Sequence, residues 1–338
     1  MENKINEAIN NVGLRKFIDE VPTEAEALEL FNLKGSKLME LFTVANEVRE
    51  KYCGNRLNIT TLTNAKAGEC LEDCKFCAQS IHYATNIDTY TLKDKAKIVE
   101  EFDRAIKVNG ADTFCLVTAT RGLVKDDSDY SRIVDIAKEL KQRNHNIKLC
   151  ASMGMTDKVT AKGLKEAGID IYNSNLQTAP SAYDKRVATT HTSQDRLNTL
   201  RAAKEAGLEI CTGGIVGLGE TYEEQVEMAY TLKSLGANVV PINILTPIKG
   251  TPYEEQQVKE MYDILKTIAI FRIILKASLI KIAAGREKRL KDFMGMAFMC
   301  GANSMIVSGY LTTCGRAIED DLKFVDDIKK IWGASEAD

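Results

Sequence analysis

Histidine is scarce in this chain. Only His82, His145 and His191 occur among 338 residues, and no two share the spacing of a metal-ligand pair. A histidine-built metal centre is thereby excluded, and any bound metal must rely on sulfur. An excess of one charge is also lacking. Forty-five Lys and Arg against 48 Asp and Glu leave a formal net charge of -3, so neither a nucleic acid nor an anionic membrane surface is implied as partner. Long apolar runs are missing too. The most apolar window, residues 264–285, is interrupted by Lys266, Arg272, Lys276 and Lys281 and makes a poor membrane span. Residues 1–16 mix charges with isolated apolar side chains and do not read as a secretory leader. The expected location is the cytoplasm.

Cysteine is plentiful, with nine residues. In a reducing compartment disulfides are disfavoured, and clustered cysteines lean toward metal or redox chemistry. Hydrophobic residues make up 44% and charged residues 28%, a globular balance with enough apolar material for a sizeable core.

One phrase recurs along the chain. A helical stretch ends at a glycine, and an apolar run follows within a few residues, after Gly110, Gly168, Gly207, Gly236 and Gly301. Each phrase is a helix-to-strand junction, and its repetition argues for parallel α/β architecture. Ile98, Phe102 and Ile106 form a stripe at four-residue spacing. Thr221 with Glu224 reads as a capping box, and Thr251, Pro252 and Glu254 read as another. Strands are expected near residues 57–63, 113–118, 148–152, 169–174, 208–215, 238–244, 279–284 and 303–308. Eight strands alternating with helices predict a (β/α)8 TIM-type barrel. An open doubly wound sheet is the competitor, but neither a G-x-G-x-x-G fingerprint nor a P-loop supports it. No low-complexity linker divides the chain. Residues 1–338 are therefore expected to form a single domain, with an N-terminal helical extension (1–50), a barrel (51–315) and a C-terminal helix (316–338).

The sharpest local signal is Cys70-Leu-Glu-Asp-Cys74-Lys-Phe-Cys77, a C-x3-C-x2-C loop just after the first expected strand. Three thiolates on one short loop can hold three irons of a cubane 4Fe-4S cluster and leave the fourth open to a small chelating molecule. The alternatives are a zinc site or incidental cysteines. Structural zinc wants four ligands, often as paired C-x-x-C motifs, and no second pair exists here.

With an aromatic residue, Phe76, before its last cysteine, this loop resembles the signature of the radical S-adenosylmethionine superfamily. The run from Asn64 to Ser80 is similar to that of the biotin synthase family. So are Tyr172-Asn-Ser-Asn-Leu-Gln-Thr178, Gly213-Gly-Ile-Val-Gly-Leu-Gly-Glu220, Val240-Pro-Ile-Asn243 with Lys249-Gly-Thr-Pro252, and Ala284-Gly-Arg-Glu287. The resemblance covers residues 45–325. It implies reductive cleavage of S-adenosylmethionine at a cluster held by Cys70, Cys74 and Cys77. It also implies insertion of sulfur into dethiobiotin, the sulfur coming from an auxiliary cluster (a 2Fe-2S or a 4Fe type) held by Cys115, Cys150 and Cys211. Taken singly, each of those three is more readily a small buried hydrophobe; taken together, each in its family-matched segment, they read better as a second cluster. The resemblance further assigns Phe76, Asn175, Gln177, Gly213, Ile215, Gly217 and Glu220 to S-adenosylmethionine, and Asn173, Asn175 and Asn243 to the substrate. Ordinary strand-end caps and a tight turn are the plainer alternatives. A homodimer and a flavodoxin or ferredoxin electron donor are implied as well.

Three positions depart from the family pattern. Lys281 stands where an arginine is the usual fourth ligand of the auxiliary cluster, Ser174 where a histidine is usual, and Gln177 where an aspartate is usual. Lysine is a compact charge rather than a planar fork, and glutamine supplies no carboxylate. A 4Fe auxiliary cluster with an exogenous sulfide on its open iron is the reading that follows. Cys53, Cys300 and Cys314 have no assigned role. The rivals are another radical enzyme on the same scaffold, such as a hydrogenase maturase or methylornithine synthase, and a non-catalytic iron-sulfur sensor.

Overall fold

The computed structural model describes residues 13–312 and 315–334, so Cys314 lies outside the described residues. Nine strand segments occur in chain order: β1 Asn58–Lys66, β2 Thr113–Thr118, β3 Lys148–Ser152, β4 Ile171–Asn173, β5 Glu209–Cys211, β6 Gly214–Val216, β7 Val239–Ile244, β8 Leu279–Ile282 and β9 Ser304–Ile306. Every pairing between them is parallel. β1 lies between β2 and β9, while β5 and β6 both pair with β7, which closes the sheet on itself. β5 and β6 act as one barrel strand, giving eight in all and the expected (β/α)8 barrel.

The expected strand over 208–215 is thus present but broken at Thr212 and Gly213. A Cβ at Gly213 would lie 2.0 Å from the carbonyl oxygen of Pro241. Glycine is required there because the chain passes so close to β7.

Among the described residues, twelve α-helices flank these strands: α1 Glu24–Leu30, α2 Gly35–Cys53, α3 Lys95–Lys107, α4 Ser128–Arg143, α5 Lys158–Glu166, α6 Tyr183–Arg186, α7 Ser193–Glu205, α8 Tyr222–Leu235, α9 Met261–Leu275, α10 Arg286–Arg289, α11 Met294–Met299 and α12 Ile318–Ile331. In α3, Ile98 and Phe102 are fully buried, as their spacing predicts, and Phe102 meets Phe114 of β2 edge to face. The five junction glycines all adopt positive φ, and Gly236 ends α8 in the left-handed region.

The apolar window around residue 270 forms α9. It is buried on nearly all sides because the N-terminal helix α2 covers the face that would otherwise meet solvent. Its basic residues find carbonyl partners inside: Lys266 donates to Phe31 O (2.8 Å), and Arg272 donates to Gly301 O (2.7 Å) and Ser278 O (2.8 Å). No helix among the described residues is long and apolar enough to cross a membrane.

One expectation fails. Thr221 and Glu224 do cap α8 reciprocally, but Thr251 and Glu254 cap no helix. The Thr251 hydroxyl donates to Ile248 O (2.7 Å), and the Glu254 carboxylate accepts from Gly250 N (2.8 Å). Both groups that a cap needs are spent on a local turn, which Tyr253 anchors by donating to Arg186 O (2.7 Å).

Candidate active site

The cysteine loop leaves the C-terminal end of β1 and is closed by its own backbone. Ala67 pairs with Tyr90, Cys70 N donates to Gln79 O (3.0 Å), Ile81 N donates to Cys70 O (2.9 Å), and Cys77 N donates to Cys74 O (2.9 Å). The loop is then tied to residues 183–196. Lys75 N donates to Val187 O (2.8 Å), and the Asp73 carboxylate accepts from Thr189 N (2.8 Å) and Thr190 N (3.1 Å). Burial pushes the Asp73 carboxyl up, but the bonds from Thr189 and Thr190 outweigh it and hold the group well below the usual carboxylate range.

A buried polar chain lies beneath the loop. His191 Nδ1 is 2.6 Å from the Glu72 carboxylate, and its Nε2 faces the Tyr183 hydroxyl (2.9 Å) and the Arg196 guanidinium (3.1 Å). A guanidinium can only donate, so Nε2 accepts, and Nδ1 carries the proton toward Glu72. Burial and the Arg196 charge both pull the His191 pKa down, which keeps the ring neutral and preserves that orientation.

Burial raises the thiol pKa of Cys70, Cys74 and Cys77, with Cys74 pushed up to about 12, while Arg196 pulls all three the other way. Arg196 is thus the cation that would favour thiolates on this loop. Among the described residues, no three His, Cys, Asp or Glu side chains gather closely enough to hold one metal ion. A cubane asks for something else, since its irons sit at separate corners and each takes one thiolate. The donor set of three thiols on a backbone-closed loop suits that demand. Cys74 packs into a satellite core with Tyr183, Leu218 and Tyr253, whereas Phe76 and Cys77 turn toward the barrel mouth.

There they line a cavity of about 360 Å³ at the C-terminal ends of the strands, where barrel enzymes carry their chemistry. Asn173, Asn175, Gln177 and Asn243 line it, together with Ile215. Asn175 accepts from Gly213 N (3.1 Å), and Asn173 donates to Ser152 Oγ (3.0 Å). Asn243 donates to Gly214 O (3.4 Å) and accepts from Ala284 N (3.3 Å), which bridges β6 to the end of β8. Two of the buried acceptors on these side chains have no partner among the described residues, Asn173 Oδ1 and Gln177 Oε1. An unpaired buried amide oxygen is costly unless a ligand completes it. Gln177 also has φ 69°, strained for a non-glycine residue and held by its backbone bridge to Gly214.

Cys115, Cys150 and Cys211 lie deeper in the same cavity, on β2, β3 and β5. Cys115 and Cys150 are directly paired across the ladder, their sulfurs 3.1 Å apart as free thiols. All three are buried in an apolar patch with Ile171 and Val239. The hydrogen bond with Cys115 raises Cys150, as does burial, and burial pushes Cys211 up to about 12. Lys281 of β8, 5% exposed, faces the same cavity, and its charge pulls both thiols down. Its ammonium has no hydrogen-bond or ion-pair partner among the described residues. Three thiols from separate strands, with a lone cation beside them, can hold an anionic iron-sulfur group but offer poor packing for a plain core.

The other sequence candidates lie elsewhere. Gly213 serves the close approach of β5 to Pro241, and Gly217 takes φ 110° in the turn after β6. Glu220 is buried and accepts from Gly217 N (2.9 Å) and Gln225 (2.8 Å), so its carboxylate holds that turn. None of the three lines the upper cavity. Cys53 accepts from Arg272 (3.3 Å) on the opposite face of the barrel, and Cys300 is fully buried in the main core. Sequence reasoning missed Glu72, His191 and Arg196. The one available signal was the capping box Thr192–Asp195, which places Arg196 in the first turn of α7.

Comparison with known proteins agrees with this geometry. The Radical SAM superfamily pattern matches residues 67–232, and the Biotin and Thiamin Synthesis associated domain matches residues 241–329. Biotin synthase of Pelotomaculum thermopropionicum is 45% identical over 307 residues, covering 91% of this chain and 94% of its own. That of Clostridium acetobutylicum is 38% identical, covering 97% and 99%. Among solved structures, methylornithine synthase superposes with TM-score 0.78 at 21% identity, covering 95% of this chain and 96% of its own. An FeFe-hydrogenase maturase from Carboxydothermus hydrogenoformans superposes with TM-score 0.80 at 20% identity, covering 96% and 78%. At such identities those two share the fold alone. A barrel carrying the cysteine loop at its mouth and relatives alike over nearly their whole length lead to one family: the chain belongs to the biotin synthase family of radical S-adenosylmethionine enzymes.

Proposed function

We propose that this enzyme inserts sulfur into dethiobiotin to form biotin, with S-adenosylmethionine consumed as oxidant. One observation carries the reading: Cys77 of the three-cysteine loop and the three strand cysteines line a single cavity. Cys70, Cys74 and Cys77 would hold a 4Fe-4S cluster, and Cys115, Cys150 and Cys211 an auxiliary cluster beside Lys281. When bound, these groups and S-adenosylmethionine supply radical hydrogen abstraction from unactivated carbon and the sulfur that replaces hydrogen.

The protein's own residues bind, orient and shield. Asn173 Oδ1 and Gln177 Oε1, unpaired inside the cavity, are acceptors for ligand N–H or O–H groups. Phe76 and Ile215 offer apolar contact beside the loop. The asparagines are already fixed by backbone or hydroxyl bonds, so little reorganisation is needed when a ligand arrives. Lys281 in place of arginine fits an auxiliary site of the 4Fe type with an exogenous sulfide. A Mössbauer spectrum showing only a 2Fe-2S auxiliary signal would overturn that choice. A homodimer, a flavodoxin or ferredoxin donor, a single domain and a cytoplasmic location complete the proposal.

The test is an anaerobic assay of reconstituted, reduced protein with S-adenosylmethionine and dethiobiotin, reading 5′-deoxyadenosine and biotin together by mass spectrometry. Both products in proportion are expected. Deoxyadenosine without biotin would reassign the substrate, and neither product would overturn the reading.

A further inference from the structure

The barrel has a second opening. At the N-terminal ends of the strands lies a cavity of about 490 Å³. Its roof includes Ile171, Val239 and Leu279, which also pack against the strand cysteines from the other side. The two cavities are therefore separated by a single layer of side chains. Lys281 is the residue that lines both.

Charge distinguishes this basal cavity from an ordinary packing defect. Five charged side chains line it: Arg56, Asp112, Lys148, Glu209 and Lys281. Four are paired at the rim, Arg56 with Asp112 (2.7 Å) and Lys148 with Glu209 (2.6 Å). Lys281 is the fifth, and it is both the most deeply placed and the one without a partner among the described residues. A buried ammonium normally has a counter-charge or acceptors. One left open between two cavities and beside Cys150 and Cys211 is a docking point for a small anion.

The proposed reaction sets the identity of that anion. Each turnover removes one sulfur from the auxiliary site, and an equivalent must return to the same place. The upper cavity is where dethiobiotin and S-adenosylmethionine would sit. We infer that the basal cavity is the entry route for hydrosulfide and that the Lys281 ammonium is its docking group, so that sulfur is restored from beneath without release of the ligands above. The step is a ligand exchange with no electron transferred: HS⁻ leaves water, pairs with the lysine and would take the open position of the cysteine-held group, and any sulfide already there would leave as HS⁻. The inference rests on the auxiliary site proposed above.

The test uses reconstituted full-length protein, kept unreduced so that no cleavage occurs, and 34S-labelled hydrosulfide. The readout is 34S in the acid-labile sulfide of the washed protein, with the uptake that Cys115→Ala retains subtracted as background. Uptake is expected to proceed with S-adenosylmethionine and dethiobiotin bound. It should fall to background in Ala111→Trp, which fills the rim, and in Asn146→Trp, on an exposed loop of that rim where folding is not at risk. Lys281→Met should slow it about ten-fold and Lys281→Arg should restore it, as loss and return of a local attracting charge predict. Uptake blocked by the upper ligands but indifferent to both rim variants would overturn the route. Equal rates in Lys281→Met and the parent would overturn the docking role. Absence of any Cys115-dependent uptake, together with no second cluster by Mössbauer spectroscopy, would instead bring down the proposed auxiliary site itself.

Discussion

The molecule makes two cysteine triads by opposite means. Cys70, Cys74 and Cys77 are neighbours in sequence, and eight residues of loop bring them together whatever the barrel does. Cys74 and Cys77 pack into an apolar cluster, but the loop itself is fastened by polar side chains: Glu72, Asp73, His191 and Arg196 tie it through hydrogen bonds to a distant segment. Cys115, Cys150 and Cys211 are separated by 35 and 61 residues, and only the parallel register of β2 with β3, and the closure through β4 and β5, makes them neighbours. Their environment is apolar, with Lys281 as the lone charge. A loop site depends on its tethers, whereas a strand site depends on the closure of the whole sheet.

The predictions test that contrast, beginning with the largest effect. Cys77→Ala breaks the loop triad. Deoxyadenosine and biotin should both fall to background by mass spectrometry while Cys115-dependent iron remains, and retained cleavage would dissolve the distinction between the sites. Cys115→Ala breaks the strand triad alone. Deoxyadenosine should still form while biotin disappears, and loss of both would mean that the two sites do not act separately.

A third substitution touches neither triad. Arg286 and Asp321 pair at 2.7 Å, both essentially excluded from solvent, and tie the start of α10 to α12, while Arg286 also donates to Ile306 O of β9. Arg286→Met leaves the buried Asp321 carboxylate with the longer 3.7 Å contact to Arg316 and should cost about 3 kcal/mol in urea unfolding. Iron retention at the strand site should suffer more than at the loop, because closure of the sheet sets the strand site.

The smallest effect concerns Asp73. Its folded-state pKa is depressed, so its contribution is fully present above the unfolded carboxyl value of about 3.9 and is lost as pH falls through the lower folded value. Protection of the Thr189 and Thr190 amides, taken relative to the intrinsic exchange rate at each pH, should therefore fall on strong acidification in the parent chain. In Asp73→Asn that protection should already be low at neutral pH and lack the acid step. Unchanged exchange in the variant would mean that the loop does not depend on this tether.

The two triads also differed in how far they could be read in advance. Junction glycines and strand-forming runs marked all eight barrel strands, because each is a local event set by backbone freedom and side-chain burial. The split at Thr212–Gly213 was not marked, since it follows from contact with Pro241, thirty residues later in the chain. The turn at Thr251 was misread as a helix start because a cap pattern is necessary but not sufficient: Gly250 and Ile248 claimed the same polar groups. His191 carried no motif of its own, and its partner Glu72 lies 119 residues away.

By itself, then, the sequence determined the period-matched strands and helices, the cysteine loop and its three-thiol spacing, because these need only short-range geometry. Tertiary structure decided the rest. It brought Cys115, Cys150, Cys211 and Lys281 to one level of a closed barrel, left two amide oxygens unpaired over them, and opened a basal cavity underneath. Those relations depend on how a sheet twists and closes, which couples residues far apart in the chain and which no local stretch encodes.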